Sequence, residues 1–201
     1  MTEPLKDHKI VSQNEWLESR KALLKKEKEF TVFRDQLSQQ RRDLPWMAVN
    51  KEYVFEGPNG KQTLSELFDG KSQLIVYHFM FDPSWEAACL HCSFWADNFN
   101  GIIVHLNQRD VTMVAVSRAP YSKLAAYRKR MGWAFKWVSS CDTDFNFDYD
   151  VSFTPEELAK KPSTISPHKI QGEREGVSVF IKTLQAMYFT HIQLMRMALT
   201  C

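Results

Sequence analysis

From Ser12 onward, Trp16, Leu23, Phe30 and Leu37 recur at seven-residue spacing, with Leu17, Leu24 and Phe33 beside them. That recurrence predicts a helix with one apolar stripe. Ser12 followed by Glu15 is a capping box that starts the helix, and Pro45 stops it just beyond Arg42. Arg20, Lys21, Lys25 and Lys26 belong to a solvated face. The stripe is expected to pack on the chain's own domain, with a dimer-forming helix as the alternative.

The pattern then shifts to shorter periods. Residues 53–56 read as a strand and residues 57–60, Gly-Pro-Asn-Gly, as a turn. Thr63 and Glu66 form a second capping box over a short helix that ends at Gly70. Residues 74–81, LIVYHFMF, are almost continuously apolar, as in a strand buried on both faces. A loop over 82–88 leads to Cys89-Leu90-His91-Cys92, after which SFWADNFNGIIVHL reads as one helix. A second buried strand (110–117), a basic helix (120–132, with Leu124, Ala125 and Tyr127 inward) and a third strand (135–139) follow. Strand and helix alternate, so the central sheet is expected to be parallel over these strands. Residues 141–176 are polar and irregular, with Pro155, Pro162 and Pro167. Within them 142–150 alternates like an extended segment that turns Phe145, Phe147 and Tyr149 inward. Residues 177–180 read as a last strand.

Charge and composition narrow the function. The 201 residues carry 26 Lys+Arg against 24 Asp+Glu, a net charge of +2, too balanced for nucleic acid as the main partner. Hydrophobic residues are 44% of the chain, enough for a core without metal or disulfide staples. Only 7 residues are Gly, which argues against a Gly-rich phosphate-binding loop. No apolar run approaches the ~18 residues that span a bilayer, and MTEPLKDHKI lacks a secretory signal, so no membrane is expected and the cytoplasm is the expected location. Of 4 Cys, only Cys89 and Cys92 are close in sequence. In a reducing compartment such a pair points to redox chemistry or metal binding.

The setting of the pair favours redox chemistry. A CxxC that opens a helix after a buried strand places its first thiol among free N–H groups, which stabilise a thiolate. Cys89 is thus the candidate nucleophile, and Cys92, one turn on, the resolving thiol. An imidazole at His91 would favour the thiolate and make the pair more oxidising. Two rival readings are inert buried cysteines and a metal site built from Cys89, His91, Cys92 and His78. The metal site lacks a second paired set of ligands. His78, inside an apolar strand, reads as a hydrogen-bonded core residue, and His105 is given no role. The acids Asp142, Asp144, Asp148 and Asp150, with Asn146, imitate a calcium loop, but Phe147 and Phe153 stand where its Gly and Glu belong. Arg128, Lys129 and Arg130 are a solvent-facing run.

The stretches YHFMFDPSWEAACLHCSFWADNF, DVTMVAVSRAP, YRKRMGW and WVSSCDTDFNFDYDVSF resemble a bacterial thioredoxin-like family of unknown function described as predicted dithiol–disulfide oxidoreductases. The resemblance covers about residues 8–180. It implies an α/β, thioredoxin-like fold over residues 46–182, a helical extension over 1–45 and an atypical, truncated tail over 183–201. It also implies thiol–disulfide exchange at Cys89 and Cys92, with no cofactor, a disulfide-containing protein or small thiol as substrate and a cellular reductant as partner. Leu90-His91 stand where the family often has Pro-Ser. Glu175-Gly176 precede the last strand, where thioredoxins carry a cis-proline. The tail IKTLQAMYFTHIQLMRMALTC departs from the family's hairpin and final helix; one base lost beside Phe180 would account for it, and resequencing across that codon is the check. Its apolar residues are expected to form a helix over the sheet, or an exposed segment, with Cys201 an accidental thiol. Two other functions stay open: a peroxiredoxin-like peroxide reductase, which needs an Arg and a Thr or Ser at the thiolate, and a non-enzymatic interaction protein on the same scaffold.

Overall fold

The computed structural model describes residues 8–160 and 172–194, which fall into two compact units divided between Leu44 and Pro45. In the first unit, helix α1 (Gln13–Arg42) opens with the expected capping box: Glu15 N–H donates to Ser12 Oγ at 3.3 Å, and Ser12 N–H to Glu15 Oε2 at 3.0 Å. A lone helix has nothing within its own unit to cover an apolar stripe. Among the described residues, no helix is long and apolar enough to cross a membrane.

The second unit is built on one eight-stranded sheet. Its strands are β1 (Met47–Ala48), β2 (Val54–Gly57), β3 (Gly60–Thr63), β4 (Gln73–His78), β5 (Val111–Ser117), β6 (Lys136–Ser139), β7 (Gly176–Lys182) and β8 (Met187–Leu194), in the spatial order β1-β8-β7-β4-β5-β6-β2-β3. The expected parallel centre is present: β4, β5 and β6 are parallel, while β7 runs antiparallel to β4. Between β4 and β5 lie α2 (Leu90–Ala96) and α3 (Phe99–Asn107); between β5 and β6 lies α4 (Tyr121–Met131).

From Leu74 to Tyr77 β4 is apolar because both its faces are covered. Leu74 and Val76 enter one cluster with Phe55, Phe68, Val114 and Phe145. Tyr77, with Phe79 just beyond the strand, enters the other with Met113, Leu124, Trp133 and Trp137. His78 falls on the first face, as a core residue: its Nε2 is 2.7 Å from Ser178 Oγ and its ring stacks on Phe145. Burial holds its pKa far below the usual value, at about 3. A neutral, buried imidazole leaves the unfolded chain as the better proton binder. Stability tied to His78 is therefore complete above pH 6.5 and is lost progressively as pH falls from 6.5 toward 3, by up to ~1.4 kcal/mol per pH unit. Urea midpoints measured from pH 7 to pH 4 should show this loss, and His78→Phe should flatten it; an unchanged slope in the variant would assign the acid sensitivity to other groups.

Several expectations are corrected. The helix after the motif is two helices, α2 and α3. The break falls at Asp97 and Asn98, whose side chains take local or tertiary partners: Trp133 Nε1 donates to Asp97 Oδ1 at 2.8 Å, and Asn98 Nδ2 to Phe94 O at 3.2 Å. Residues 142–150 are not extended. They hold a short helix, α5 (Phe145–Asp148), so that Phe145 and Tyr149, four apart, share one buried side while Phe147 is half-buried under the Arg118 guanidinium, 4.6 Å away. Two of the alternating acids hold Lys51, whose Nζ lies 2.9 Å from Asp144 and 2.6 Å from Asp148. The irregular stretch also holds α6 (Pro155–Lys160), capped by Thr154, which accepts from Glu157 N–H, and opened by a proline whose missing N–H costs nothing there. The turn at 57–60 closes a hairpin with β3, which the sequence reading passed over. Finally, the tail is a strand rather than a helix over Met187–Leu194: β8 pairs with β7 across a turn in which Thr183 N–H donates to Ala186 O at 2.9 Å. Aromatic and β-branched residues suit that pleated setting. Met195, Leu199 and Cys201, like Pro162 and Pro167, lie outside the described residues.

Candidate functional site

The carboxyl ends of β4 and β5 and the start of β7 converge on one place. β4 leads into the loop that carries the motif, and Gly176 at the start of β7 stands opposite His78 at the end of β4. The loop is held from several sides. Cys89 N–H donates to Met80 O at 3.1 Å, and Lys123 Nζ on α4 donates to Pro83 O at 2.8 Å and Trp85 O at 3.0 Å. Arg118, just past β5, donates to Asp82 at 3.2 Å and to Glu173 at 2.8 Å. One guanidinium thus ties the loop before the motif to the segment before β7. Glu173 is fixed further by Ser152 Oγ, which donates to it at 2.9 Å.

Cys89 is the N-cap of α2, half-buried, and Cys92 sits one turn on, with none of its surface exposed. Both are free thiols. The two sulfurs have opposite electrostatics. The Cys92 side chain, and next the main-chain N–H groups of Cys92 and His91, favour the charged form of Cys89 and bring its pKa down to about 6 against the opposing effect of burial. Burial drives the Cys92 thiol strongly upward, and the neighbouring Cys89 adds to that. The first thiol is thus drawn toward its charged form and the second toward its neutral one. His91 bears on Cys89 through its main-chain N–H, and its side chain is exposed.

Two members of the site escaped the sequence reading. Cys92 Sγ–H donates to Glu175 Oε2 at 3.3 Å, and Tyr77 O–H reaches the same oxygen at 3.4 Å. Tyr77 and Val177 are register partners and so point to one face of the sheet; Glu175, two residues before Val177, shares that face with Cys92. Its carboxylate therefore stands beside the motif, just before the strand where thioredoxins carry a cis-proline. Every described peptide bond is trans. The available signal was an acid directly preceding an apolar strand. His78, by the same alternation, faces away from the motif. Among the described residues no group of acids, cysteines and histidines is arranged to hold a metal ion.

Comparison with solved structures places this arrangement in a known fold. A cysteine-to-serine variant of PrxQ from Xylella fastidiosa superimposes with a TM-score of 0.55 at 14% identity, over 74% of this chain and 84% of that one. Peroxidoxin BcpB from Mycobacterium tuberculosis gives 0.54 at 12% identity, over 75% and 85%. Peroxiredoxin Q from Xanthomonas campestris gives 0.52 at 16% identity, over 73% and 87%. At these identities the likeness is one of fold, and the fold is thioredoxin-like. No curated protein matches the sequence. The family model described as "Bacterial protein of unknown function (DUF899)" matches residues 5–198, nearly the whole length, and the chain belongs to that family.

Proposed function

We propose that the protein is a thiol–disulfide oxidoreductase in which Cys89 is the nucleophile and Cys92 the resolving thiol. The observation that carries this reading is the difference between the two sulfurs: Cys89 is half-buried at the N-cap of α2, whereas Cys92, one turn on, is fully buried with its S–H donated to Glu175. The Cys89 thiolate attacks a disulfide sulfur of the substrate and forms a mixed disulfide, releasing the first substrate thiolate. Cys92 then attacks Cys89, closing the Cys89–Cys92 disulfide and releasing the second. The substrate gains two electrons, the cysteine pair loses them, and a thiol reductant restores the pair. Leu90 and Phe94, four apart on α2 beside Cys89, are exposed apolar side chains, which suits a protein disulfide as substrate. We place the reaction in the cytoplasm.

A peroxide reductase on this scaffold would need an arginine at the thiolate. Arg118 is instead committed to Asp82 and Glu173, and the charge that bears on Cys89 is the negative one of Glu175, which opposes its ionisation.

The test is a redox titration of the purified protein in glutathione buffers, read by mass after alkylation. A reversible two-electron transition confined to Cys89 and Cys92 is expected. Cysteines that stay reduced in oxidising buffer would sink the reading in favour of an inert scaffold. The same protein should alkylate at Cys89 with a midpoint near the pKa of about 6, while folded Cys92 stays unmodified. A Cys89 midpoint in the ordinary thiol range would remove the electrostatic basis of the assignment.

A further inference from the structure

We propose that Glu175 is the catalytic base of the second half-reaction, the group that takes the proton from Cys92 as it attacks the mixed disulfide. The inference rests on the thiol–disulfide reading above and adds to it a residue from the far end of the chain.

The need for such a base follows from where Cys92 lies. A thiol is a poor nucleophile until its proton leaves, and Cys92 has no exposed surface through which water could take it. Burial also holds the thiol in its protonated form. Its proton has two acceptors, used at different stages. In the reduced pair the Cys92 S–H can turn to the Cys89 thiolate, the largest influence that keeps that thiolate charged. Once Cys89 has attacked, its sulfur is covalently bonded and uncharged, and ceases to be a strong acceptor. The carboxylate then left at hydrogen-bond distance is Glu175 Oε2, 3.3 Å from Cys92 Sγ, beside the Tyr77 hydroxyl, which burial keeps protonated. The carboxyl group belongs to a residue only 5% exposed, and Tyr77 O–H, 3.4 Å from the same oxygen, steadies it.

The step balances. Cys92 Sγ–H passes its proton to Glu175 Oε2, and the electron pair left on sulfur forms the Cys89–Cys92 bond. The bond between Cys89 and the substrate sulfur breaks, and the substrate leaves as a thiolate that takes a proton from Glu175 or from solvent. When a thiol reductant reopens the disulfide, the carboxylic acid returns a proton to Cys92, so one group serves both directions.

The charge of Glu175 sets it apart from the first half-reaction. Its negative charge opposes the Cys89 thiolate. Replacing it by a neutral isostere should therefore leave the first attack as fast as in the wild type and shift the Cys89 alkylation midpoint downward. A merely structural role would not produce that combination.

The experiment uses full-length protein carrying Cys141→Ser and Cys201→Ser, with an aromatic disulfide such as dithionitrobenzoate as the probe. Stopped-flow absorbance counts two released thiols: one when Cys89 attacks, one when Cys92 resolves. In the Glu175→Gln variant the first release should keep the parent rate. The second should slow by about 10²-fold or more, with the mixed disulfide on Cys89 visible by intact mass. Glu175→Asp, which retains a carboxylate, should recover part of the second rate and serves as the working variant if the glutamine form does not fold. A second release at the parent rate in Glu175→Gln, or equal slowing of both releases, would overturn the proposal. Absence of any first release from Cys89 in the parent protein would instead overturn the oxidoreductase reading itself, so the two failures are distinct.

Discussion

Cys89→Ser is expected to abolish disulfide reduction, and Cys92→Ser to halt it midway with substrate covalently attached to Cys89. The first loss should reach at least about 10⁴-fold, the scale on which removal of a covalent nucleophile is felt. A serine hydroxyl cannot ionise under the hydrogen bonds that bring Cys89 down to about 6, so the N-cap position loses its nucleophile while its fold is untouched. Cys92→Ser acts differently. It keeps a hydroxyl donor for Cys89, so the first attack survives, but nothing follows it. The mixed disulfide then accumulates, and incubation with a cell extract followed by non-reducing mass analysis should identify the captured substrate. Capture by Cys92→Ser and not by the Cys89→Ser/Cys92→Ser double variant is the outcome that assigns the roles. Equal capture by a Cys89→Ser variant would reverse them.

Much of this site can be read along the chain because its parts are contiguous. The buried strand, the loop and the motif follow one another from Leu74 to Cys92, and the run from Leu74 to Phe81 declares its two-sided burial by having one polar residue, His78. Glu175 could not be read in the same way. It lies 83 residues from Cys92, and only the antiparallel register of β7 on β4 brings it there. The acidic stretch before Val151 misleads for a related reason. Phe145, Phe147 and Tyr149 satisfy a period of two as well as a period near four, and the long-range clasp of Lys51 on Asp144 and Asp148 accompanies the helical choice. The tail shows the same limit. The apolar residues of the tail suggest a helix, but Met187 to Leu194 includes aromatic and β-branched residues, β7 offers an edge and β1 a second partner, with Met47 opposite Phe189, so the segment pairs as a strand. Local composition, in short, reports burial well and partners poorly, and the chemistry at Cys92 depends on a partner.

Arg118→Met should cost about 3–5 kcal/mol of stability at neutral pH, the usual result of stranding one member of a buried ion pair. The Glu173 side chain keeps 1% of its exposure, and without the guanidinium its carboxylate would retain only Ser152 as a donor. Burial already pushes its pKa up, and Arg118 is the main influence pulling it back, so the loss should shrink in acid, where the carboxyl can be neutralised. Glu173→Met in the same chain should recover most of the stability, because the uncompensated charge is gone; a double variant as unstable as Arg118→Met would show that packing over Phe147 matters more than charge. Activity should not follow stability. Arg118 also holds Asp82, at the root of the loop that presents Cys89, and through Glu173 it holds the segment two residues from Glu175. The double variant restores neither tie. It should therefore be folded yet slow in resolving the mixed disulfide, and urea midpoints measured beside two-phase thiol release would separate the arginine's part in folding from its part in aligning the two halves of the site.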